Sequence, residues 1–185
     1  GGIEPMSQGV ILSQMRTQAQ IAIDGADVII MVTDVRSGVV ATDEEVAIML
    51  KKSGRPVILA VNKCDNVGDV PPEFYEFYNL GLGDPIAVSS VHGHGTGDLL
   101  DRVMELVPQE QEEEDDGEEI KVAIIGKPNV GKSSLVNKIS GQERCIVSNI
   151  AGTTRDAIDT AVENQHGKFI LIDTAGLRRQ SKVHK

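Results

Sequence analysis

The feature of this 185-residue chain that most restricts its fold is a strand, a glycine-rich turn and a helix in immediate succession. The apolar residues at 120–125 predict a buried strand, and a helical pattern starts at Lys132. Between them, residues 126–133 read GKPNVGKS, which is the G-x-x-x-x-G-K-[ST] pattern of a phosphate-binding loop. The strand before it and the helix after it are the context that this pattern requires. The chain therefore predicts an α/β fold of the P-loop NTPase class.

Helical and apolar segments alternate through the first 107 residues. Helical patterns at about 7–23, from 42 onward and at about 98–106 alternate with apolar strands at 28–32, 57–61 and 85–88. This alternation predicts a doubly wound, mostly parallel sheet. After the P-loop, residues 156–163 and 168–174 predict two further strands joined by a turn. By this pattern neither half of the chain has the elements of a complete domain.

Negative charge is concentrated in one short segment. Eight acidic residues lie between Glu110 and Glu119 and carry most of the net charge of −10. Such a run repels itself and has little apolar surface to bury, so it is typical of a solvated linker. We expect three units: residues 1–107, an acidic linker at 108–119, and residues 120–185.

Composition argues against several other kinds of protein. No apolar run approaches the length of a membrane span, and the first residues resemble no signal sequence. Cys64 and Cys145 have no CxxC spacing and predict free thiols. His92 and His94 have no acidic or cysteine partner nearby, which makes a poor metal site. We expect a cytoplasmic protein that binds neither membrane nor DNA.

The P-loop predicts how a nucleoside triphosphate is held. Successive N–H groups of the loop and the N-terminus of the following helix favour bound phosphate. Lys132 is predicted to reach the β- and γ-phosphates, and the Ser133 hydroxyl to bind Mg²⁺. The loop residues predicted to contact the nucleotide are Gly126, Lys127, Pro128, Asn129, Val130, Gly131, Lys132 and Ser133.

Two later segments predict ligands of the metal and of the γ-phosphate. In the sequence Asp173-Thr174-Ala175-Gly176, Asp173 ends an apolar strand and is expected to face Mg²⁺. Gly176 can offer its N–H to the γ-phosphate, a contact that is lost after hydrolysis. Thr154, favoured over Thr153, can complete the Mg²⁺ shell. A simple Ser/Thr turn that opens a strand remains the alternative for the two threonines.

A third motif, in the first half of the chain, predicts the base. Asp65 follows the strand at 57–61 and can accept hydrogen bonds from N1–H and the 2-amino group of guanine, whereas adenine has neither group. Asn62 would brace the site, the Lys63 stem would cover the base, and residues 89–90 would offer an N–H to the guanine oxygen. The residues of this predicted site are Asn62, Lys63, Cys64, Asp65, Ser89 and Ser90.

Taken together, the motifs resemble the Der/EngA family of bacterial tandem G-domain GTPases over essentially the whole chain. Segments 62–65 and 88–90 resemble the guanine motifs of the family's first G domain, and 1–5 resembles the tail of its D-T-G-G element. The start of the family's second G domain is resembled by segments 126–134, 151–156 and 173–176. The first of these extends the P-loop pattern by Ser134. The resemblance implies two partial G domains joined by the acidic linker. It also implies that the first P-loop, the second guanine motif and an RNA-binding-like domain lie outside this sequence.

The resemblance further implies GTP hydrolysis, with GTP or GDP and Mg²⁺ bound, coupled to assembly of the large ribosomal subunit. The catalytic residues would be Lys132, Thr154, Gly176 and Asn129. Leu177 stands where many GTPases have a water-orienting glutamine, and relatives with an apolar residue there can use K⁺ held partly by an asparagine at the place of Asn129. A nucleotide-dependent binding module without turnover, and a P-loop ATPase or kinase, are the alternatives.

The order of the motifs leaves one more arrangement open. The guanine motif precedes the P-loop, the threonines and residues 173–176, which is the order in circularly permuted GTPases. A linker of about 12 residues spans up to about 40 Å. The two parts can therefore also be expected to assemble into one composite G domain.

Overall fold

The structure, a computed structural model, describes residues 8–107, 119–141, 146–150, 158–165 and 167–173. Helices and strands alternate through most of these ranges. In chain order the elements are helix α1 (Gln8–Gly25), strand β1 (Val28–Asp34), a 3-10 turn (Val35–Ser37), α2 (Ala41–Lys52), β2 (Val57–Asn62), a 3-10 helix (Pro72–Leu80), β3 (Ile86–Ala87), α3 (Thr96–Leu106), β4 (Ile120–Ile125), α4 (Lys132–Ser140), β5 (Ile146–Ile150), β6 (Ile158–Asn164) and β7 (Gly167–Asp173).

All seven strands belong to one sheet, in the order β3-β2-β1-β4-β7-β6-β5. Five neighbouring strands run parallel, and β6 is antiparallel to both β7 and β5. The parallel pair β1 and β4 joins the first part of the chain to the second, with Ile30 opposite Ile124. The strands on either side of the acidic segment thus form a single sheet.

Helices cover both faces of this sheet, as a doubly wound fold requires. One core contains Ile29 and Met31 of β1 with buried residues of α1, α2 and the 3-10 helix. The other contains Ile30 of β1 with buried residues of α3 and α4. Side chains alternate between faces along a strand, so β1 can be fully apolar because both of its faces are covered. The α/β, doubly wound and mostly parallel fold predicted from the sequence is confirmed.

Three features differ from the expected pattern. Residues 72–80 form a 3-10 helix, in which Phe74, Phe77 and Leu80 are buried at the three-residue spacing that such a helix places on one side. Strand β5 was not expected, and β3 is shorter than the predicted strand at 85–88.

Within the described ranges, no helix is both long enough and apolar enough to span a bilayer. The acidic segment 108–118 lies outside the described residues.

A substitution in the second part of the chain should destabilise the first part if they share one sheet. The only two tyrosines, Tyr75 and Tyr78, lie in the 3-10 helix of the first part, and their fluorescence reports its unfolding. Ile124 is fully buried in β4, opposite Ile30 of β1. We expect Ile124→Ala to lower the free energy of unfolding by about 2–5 kcal/mol and to shift the tyrosine transition in urea to lower concentration.

Ile48→Ala is the matched control, because Ile48 lies in the first part but is 51% exposed. It should move the same transition by no more than about 0.5 kcal/mol. A tyrosine transition that Ile124→Ala leaves in place would contradict the shared sheet.

Candidate functional site

The predicted motifs meet at the carboxyl ends of the parallel strands. The P-loop follows β4, residues 62–65 follow β2, and residues 89–90 follow β3. Because β1, β2, β3 and β4 are neighbours and parallel, their carboxyl ends lie at the same edge of the sheet. The sheet order therefore brings together motifs that are more than 60 residues apart in the sequence.

Glycines let the P-loop pass close to its neighbours. A Cβ on Gly126 would collide with the Val32 carbonyl oxygen, and one on Gly131 would collide with the Asn62 amide nitrogen. Gly131 also has φ +97°, a backbone conformation that L side chains rarely adopt. The two glycines of the pattern are thus required by close packing against β1 and β2.

Lys132 lies against the loop at the first turn of α4. Its ammonium group donates to the carbonyl oxygens of Gly126 and Lys127. The side chain is only 9% exposed, so the charge is held inside the curve of the loop. A phosphate oxygen entering this loop would meet both the ammonium and the N-terminus of α4.

Asn62 connects the P-loop to the loop after β3. Its amide nitrogen donates to the Val130 carbonyl at 2.8 Å and to Ser90 Oγ at 3.1 Å. Its amide oxygen accepts from Ser90 N at 3.0 Å. The side chain is buried, and three hydrogen bonds use its polar atoms. Asn62 therefore braces three segments that surround the candidate site.

Lys63 extends from β2 towards the P-loop. Its ammonium group donates to Asp34 Oδ2 at 2.7 Å and to the Asn129 carbonyl at 3.1 Å. Both Lys63 and Asn129 have φ of 66°, in the left-handed region. Since lysine seldom adopts this conformation, the two contacts of its ammonium group help to hold it.

Asp65 has one partner on each carboxylate oxygen. Ser89 Oγ donates to Oδ1 at 2.7 Å, and Arg36 Nη2 donates to Oδ2 at 2.8 Å. Ser89 is fully buried and its N–H donates to the His94 carbonyl at 2.9 Å. The Asp65 side chain is 26% exposed, so a ligand can reach it.

Two predicted contacts of this site differ in the structure. The N–H groups of Ser89 and Ser90 already donate to His94 O and Asn62 Oδ1, because buried donors need partners within the protein. A guanine oxygen would have to share the Ser90 N–H. Cys64 was grouped with the nucleotide-binding residues, but its thiol lies in the core, where it donates to the Val61 carbonyl at 3.4 Å. Burial raises the pKa of this thiol to about 11.

The sequence analysis missed the residues that hold Lys127. The Lys127 ammonium donates to Ser37 Oγ at 3.1 Å and lies 3.7 Å from Asp43 Oδ2. Asp43 is 1% exposed and accepts from the Val40 N–H at the start of α2. Burial raises the pKa of Asp43, although the Val40 hydrogen bond and Lys127 partly oppose this shift. An acidic residue in the first turn of α2 is the one signal that could have indicated this contact.

Residues for Mg²⁺ are described only in part. Ser133 is half-buried in the first turn of α4, and Asp173 ends β7 opposite Ile124, next to the strand that leads into the P-loop. A hydroxyl and a carboxylate at these positions fit the oxygen ligands that Mg²⁺ prefers. Among the described residues, no three His, Cys, Asp or Glu side chains form a metal-binding group. Thr153, Thr154, Thr174, Ala175, Gly176 and Leu177 lie outside the described residues.

The raised pKa of Asp43 predicts a pH-dependent cost. Burial disfavours the ionised form of Asp43 in the fold. The stabilising contribution of the protonated carboxyl group is therefore fully present below pH 3.8 and is lost as pH rises through the raised pKa. Asp43→Asn cannot ionise. We therefore expect the stability of Asp43→Asn, measured against the unchanged chain by thermal unfolding, to improve as pH rises from about 4 to about 7.

Asp69→Asn, in an exposed loop, is the control for this experiment and should not show the trend. If the melting temperatures of Asp43→Asn and the unchanged chain kept a constant difference across this pH range, the proposed cost of ionisation would be wrong.

Two family models match this chain, one in each of its two parts. A family model described as "50S ribosome-binding GTPase" matches residues 121–185, and one described as "Elongation factor Tu GTP binding domain" matches residues 15–109, about half of the chain. A relative named GTPase Der from Acetivibrio thermocellus is 60% identical over 185 residues, which is 100% of this chain and 42% of the relative. That from Ruminiclostridium cellulolyticum is 60% identical over 183 residues, 99% of this chain and 42% of the relative.

A solved structure shares the fold. The crystal structure of YjeQ from Thermotoga maritima matches with a TM-score of 0.52 and 20% identity, over 80% of this chain and 47% of that chain. The curated relatives share far more of the sequence, and this chain spans 42% of their length. The match to the Acetivibrio thermocellus relative covers all 185 residues and therefore both parts of the chain. The chain belongs to the Der/EngA family of tandem G-domain GTPases.

Proposed function

We propose that this chain binds a guanine nucleotide in one composite site, in which the P-loop of the second part holds the phosphates and residues of the first part select the base. The observation that carries this proposal is the Asn62 side chain, which donates to Val130 of the P-loop and to Ser90. Ser90 follows Ser89, whose hydroxyl donates to Asp65. A single buried amide thus fixes the distance between the two ends of the site. The sheet pairing of β1 with β4 supports the same arrangement.

Base selection depends on Asp65. Each oxygen of a carboxylate can accept two hydrogen bonds, and one position on each is used by Ser89 or Arg36. Two acceptor positions remain, and guanine has two donors on the matching edge, N1–H and the 2-amino group. Adenine has no donors on this edge and would leave these two acceptor positions of the carboxylate unfilled, and an unsatisfied buried acceptor costs about 1–3 kcal/mol. This argument favours GTP over ATP and disfavours the ATPase or kinase alternative.

Phosphate binding depends on Lys132 and the loop N–H groups. The Lys132 ammonium now donates to neutral carbonyl oxygens, and a phosphate oxygen is a stronger acceptor because it is charged. Ser133 and Asp173 would hold Mg²⁺, with Thr154 completing its shell, and this ion neutralises charge on the β- and γ-phosphates. Gly176 would contact the γ-phosphate through its N–H.

We propose hydrolysis of GTP by in-line attack of water on the γ-phosphate. Relatives that carry the name GTPase, of which this chain spans 42%, support this activity. Leu177 has no group that could orient water, and Asn129 of the P-loop would help to hold K⁺ beside the phosphates. A module that binds nucleotide without turnover is the alternative, and single-turnover hydrolysis separates the two.

We propose the ribosome as the place of action of proteins that, like the relatives of this chain, carry two G domains. The family model that matches residues 121–185 is described as ribosome-binding, for the 50S particle, which supports the RNA or protein of the large subunit as a partner. Separate matches to residues 15–109 and 121–185 support the division into parts of two successive G domains, 1–107 and 120–185, joined by the linker at 108–119. We expect this role in the cytoplasm.

The composite site predicts that a residue of the first part controls binding by the second. We expect the 185-residue chain to bind GDP with micromolar or tighter affinity in calorimetric titration. Asp65→Asn should weaken this binding by about 100-fold, because an amide presents only one acceptor to the two donors of guanine and also faces them with its own N–H. ATP should compete poorly with GDP.

The control is Asp69→Asn, which removes an exposed carboxylate four residues away and should bind GDP as the unchanged chain does. GDP binding that is indifferent to Asp65→Asn would show that the base lies elsewhere and would end the composite proposal.

The proposed role of Asn129 predicts an effect of K⁺ on turnover. Single-turnover GTP hydrolysis should be about tenfold faster in K⁺ than in Na⁺, which corresponds to about 1.4 kcal/mol. Asn129→Gly should remove the difference, and glycine adopts the left-handed backbone of this position without strain. Equal rates in K⁺ and Na⁺ for the unchanged chain would contradict the proposal.

A further inference from the structure

Arg36 contacts the base-selecting carboxylate, although no motif in the sequence includes it. We propose that Arg36 is a positioning residue for guanine recognition: together with Ser89 it fixes the orientation of the Asp65 carboxylate, so that one oxygen meets N1–H and the other meets the 2-amino group. This inference rests on the proposed function, because it concerns the same base site. It adds a residue that determines how strongly the site distinguishes guanine from purines that lack the amino group.

The contact between Arg36 and Asp65 joins two loops of the site. Arg36 lies in the 3-10 turn that follows β1, and Asp65 lies after β2. Their Nη2 and Oδ2 atoms are 2.8 Å apart. On the opposite oxygen, Ser89 Oγ lies 2.7 Å from Oδ1. The carboxylate is therefore held from both sides, once by a buried hydroxyl and once by a charged group.

The backbone of Arg36 is fixed, although its side chain is 67% exposed. The Arg36 N–H donates to Asp34 Oδ1 at 2.8 Å, and the preceding Val35 is buried. Asp34 in turn accepts from the Lys63 ammonium through its other oxygen at 2.7 Å. The guanidinium thus extends from a backbone that the site itself holds in place.

The arrangement leaves the carboxylate free to bind the base. Ser89 and Arg36 occupy one acceptor position on each oxygen, and one position on each oxygen remains. The terminal torsion of an aspartate is broad, so without a partner on Oδ2 the carboxylate plane would turn more freely. Guanine would lose most from such turning because it needs both oxygens in place at once.

Hypoxanthine separates this role from a general effect on the loop. Hypoxanthine has the N1–H of guanine but lacks the 2-amino group, so it needs only one oxygen of Asp65. A change that loosens the carboxylate should therefore weaken GDP binding more than IDP binding. A change that merely disturbs the loop should weaken both nucleotides by the same factor.

The test measures the dissociation constants of GDP and IDP for the 185-residue chain by calorimetry. Arg36→Ala should weaken GDP binding by about threefold to tenfold, with little effect on IDP. The ratio of the IDP dissociation constant to the GDP dissociation constant therefore falls by a similar factor. Arg36→Gln should behave as Arg36→Ala does, and Arg36→Lys should restore part of the ratio by returning a positive charge. Arg102→Ala, which removes an exposed ion pair with Glu105 on α3, is the matched control and should change neither constant.

Two results would overturn the inference alone. GDP and IDP binding that weaken equally in Arg36→Ala would indicate a structural role, and unchanged or tighter GDP binding would indicate that Arg36 does not orient the carboxylate. Circular dichroism of each variant shows whether it is folded, and Arg36→Gln provides the comparison if Arg36→Ala is not. Absence of GDP binding by the unchanged chain would overturn the proposed function and this inference with it.

Discussion

The parallel pairing of β1 with β4 is the constraint on which the rest of the structure depends. Val28, Ile30, Val122 and Ile124 are fully buried, and the pairing places helices from both parts of the chain over the same sheet. Parallel neighbours end at the same edge, so this pairing places the P-loop beside Asp34, and the pairing of β1 with β2 adds Asn62. The site is therefore a consequence of strand order, and its loops need no contact of their own to be brought together. Contacts between the loops then set the distances between them to within about an ångström.

The spacing of the loops depends on the buried amide of Asn62 and on a glycine, which has no side chain. Asn62 must donate to the Val130 carbonyl and accept from the Ser90 N–H at the same time. Neither an ionised aspartate nor a leucine of similar size can do both, and an unpaired buried group costs about 1–3 kcal/mol. Gly131 lets the amide approach the loop, since a Cβ there would collide with it. The asparagine of one motif and the glycine of another are thus two sides of one contact, although about 70 residues separate them in the sequence.

Local patterns predicted most elements, because each depends on neighbouring residues. The apolar run at 28–32 and the glycine-rich loop at 126–133 are examples, and the structure extends the first to Asp34. Strand order was not predictable in this way, because β1 and β4 are both short apolar runs and nothing in their periodicity says which strand lies beside which. The contacts of Arg36 and Lys127 were missed for a related reason. A charged residue in a loop is usually solvated, and only the folded chain shows that a carboxylate faces it.

Two of the ion pairs around the site are linked to each other. Arg36 bonds to Asp65 at the proposed base end, and Lys63 bonds both to Asp34 and to the Asn129 carbonyl at the proposed phosphate end. Asp34 joins the two pairs, because one of its oxygens accepts from the Arg36 N–H and the other from Lys63. Contacts therefore connect Asp65 through Arg36 and Asp34 to Lys63, which touches the P-loop. Because Asp34 contacts both pairs, the proposed base and phosphate ends of the site are connected through one carboxylate at a single edge of the sheet.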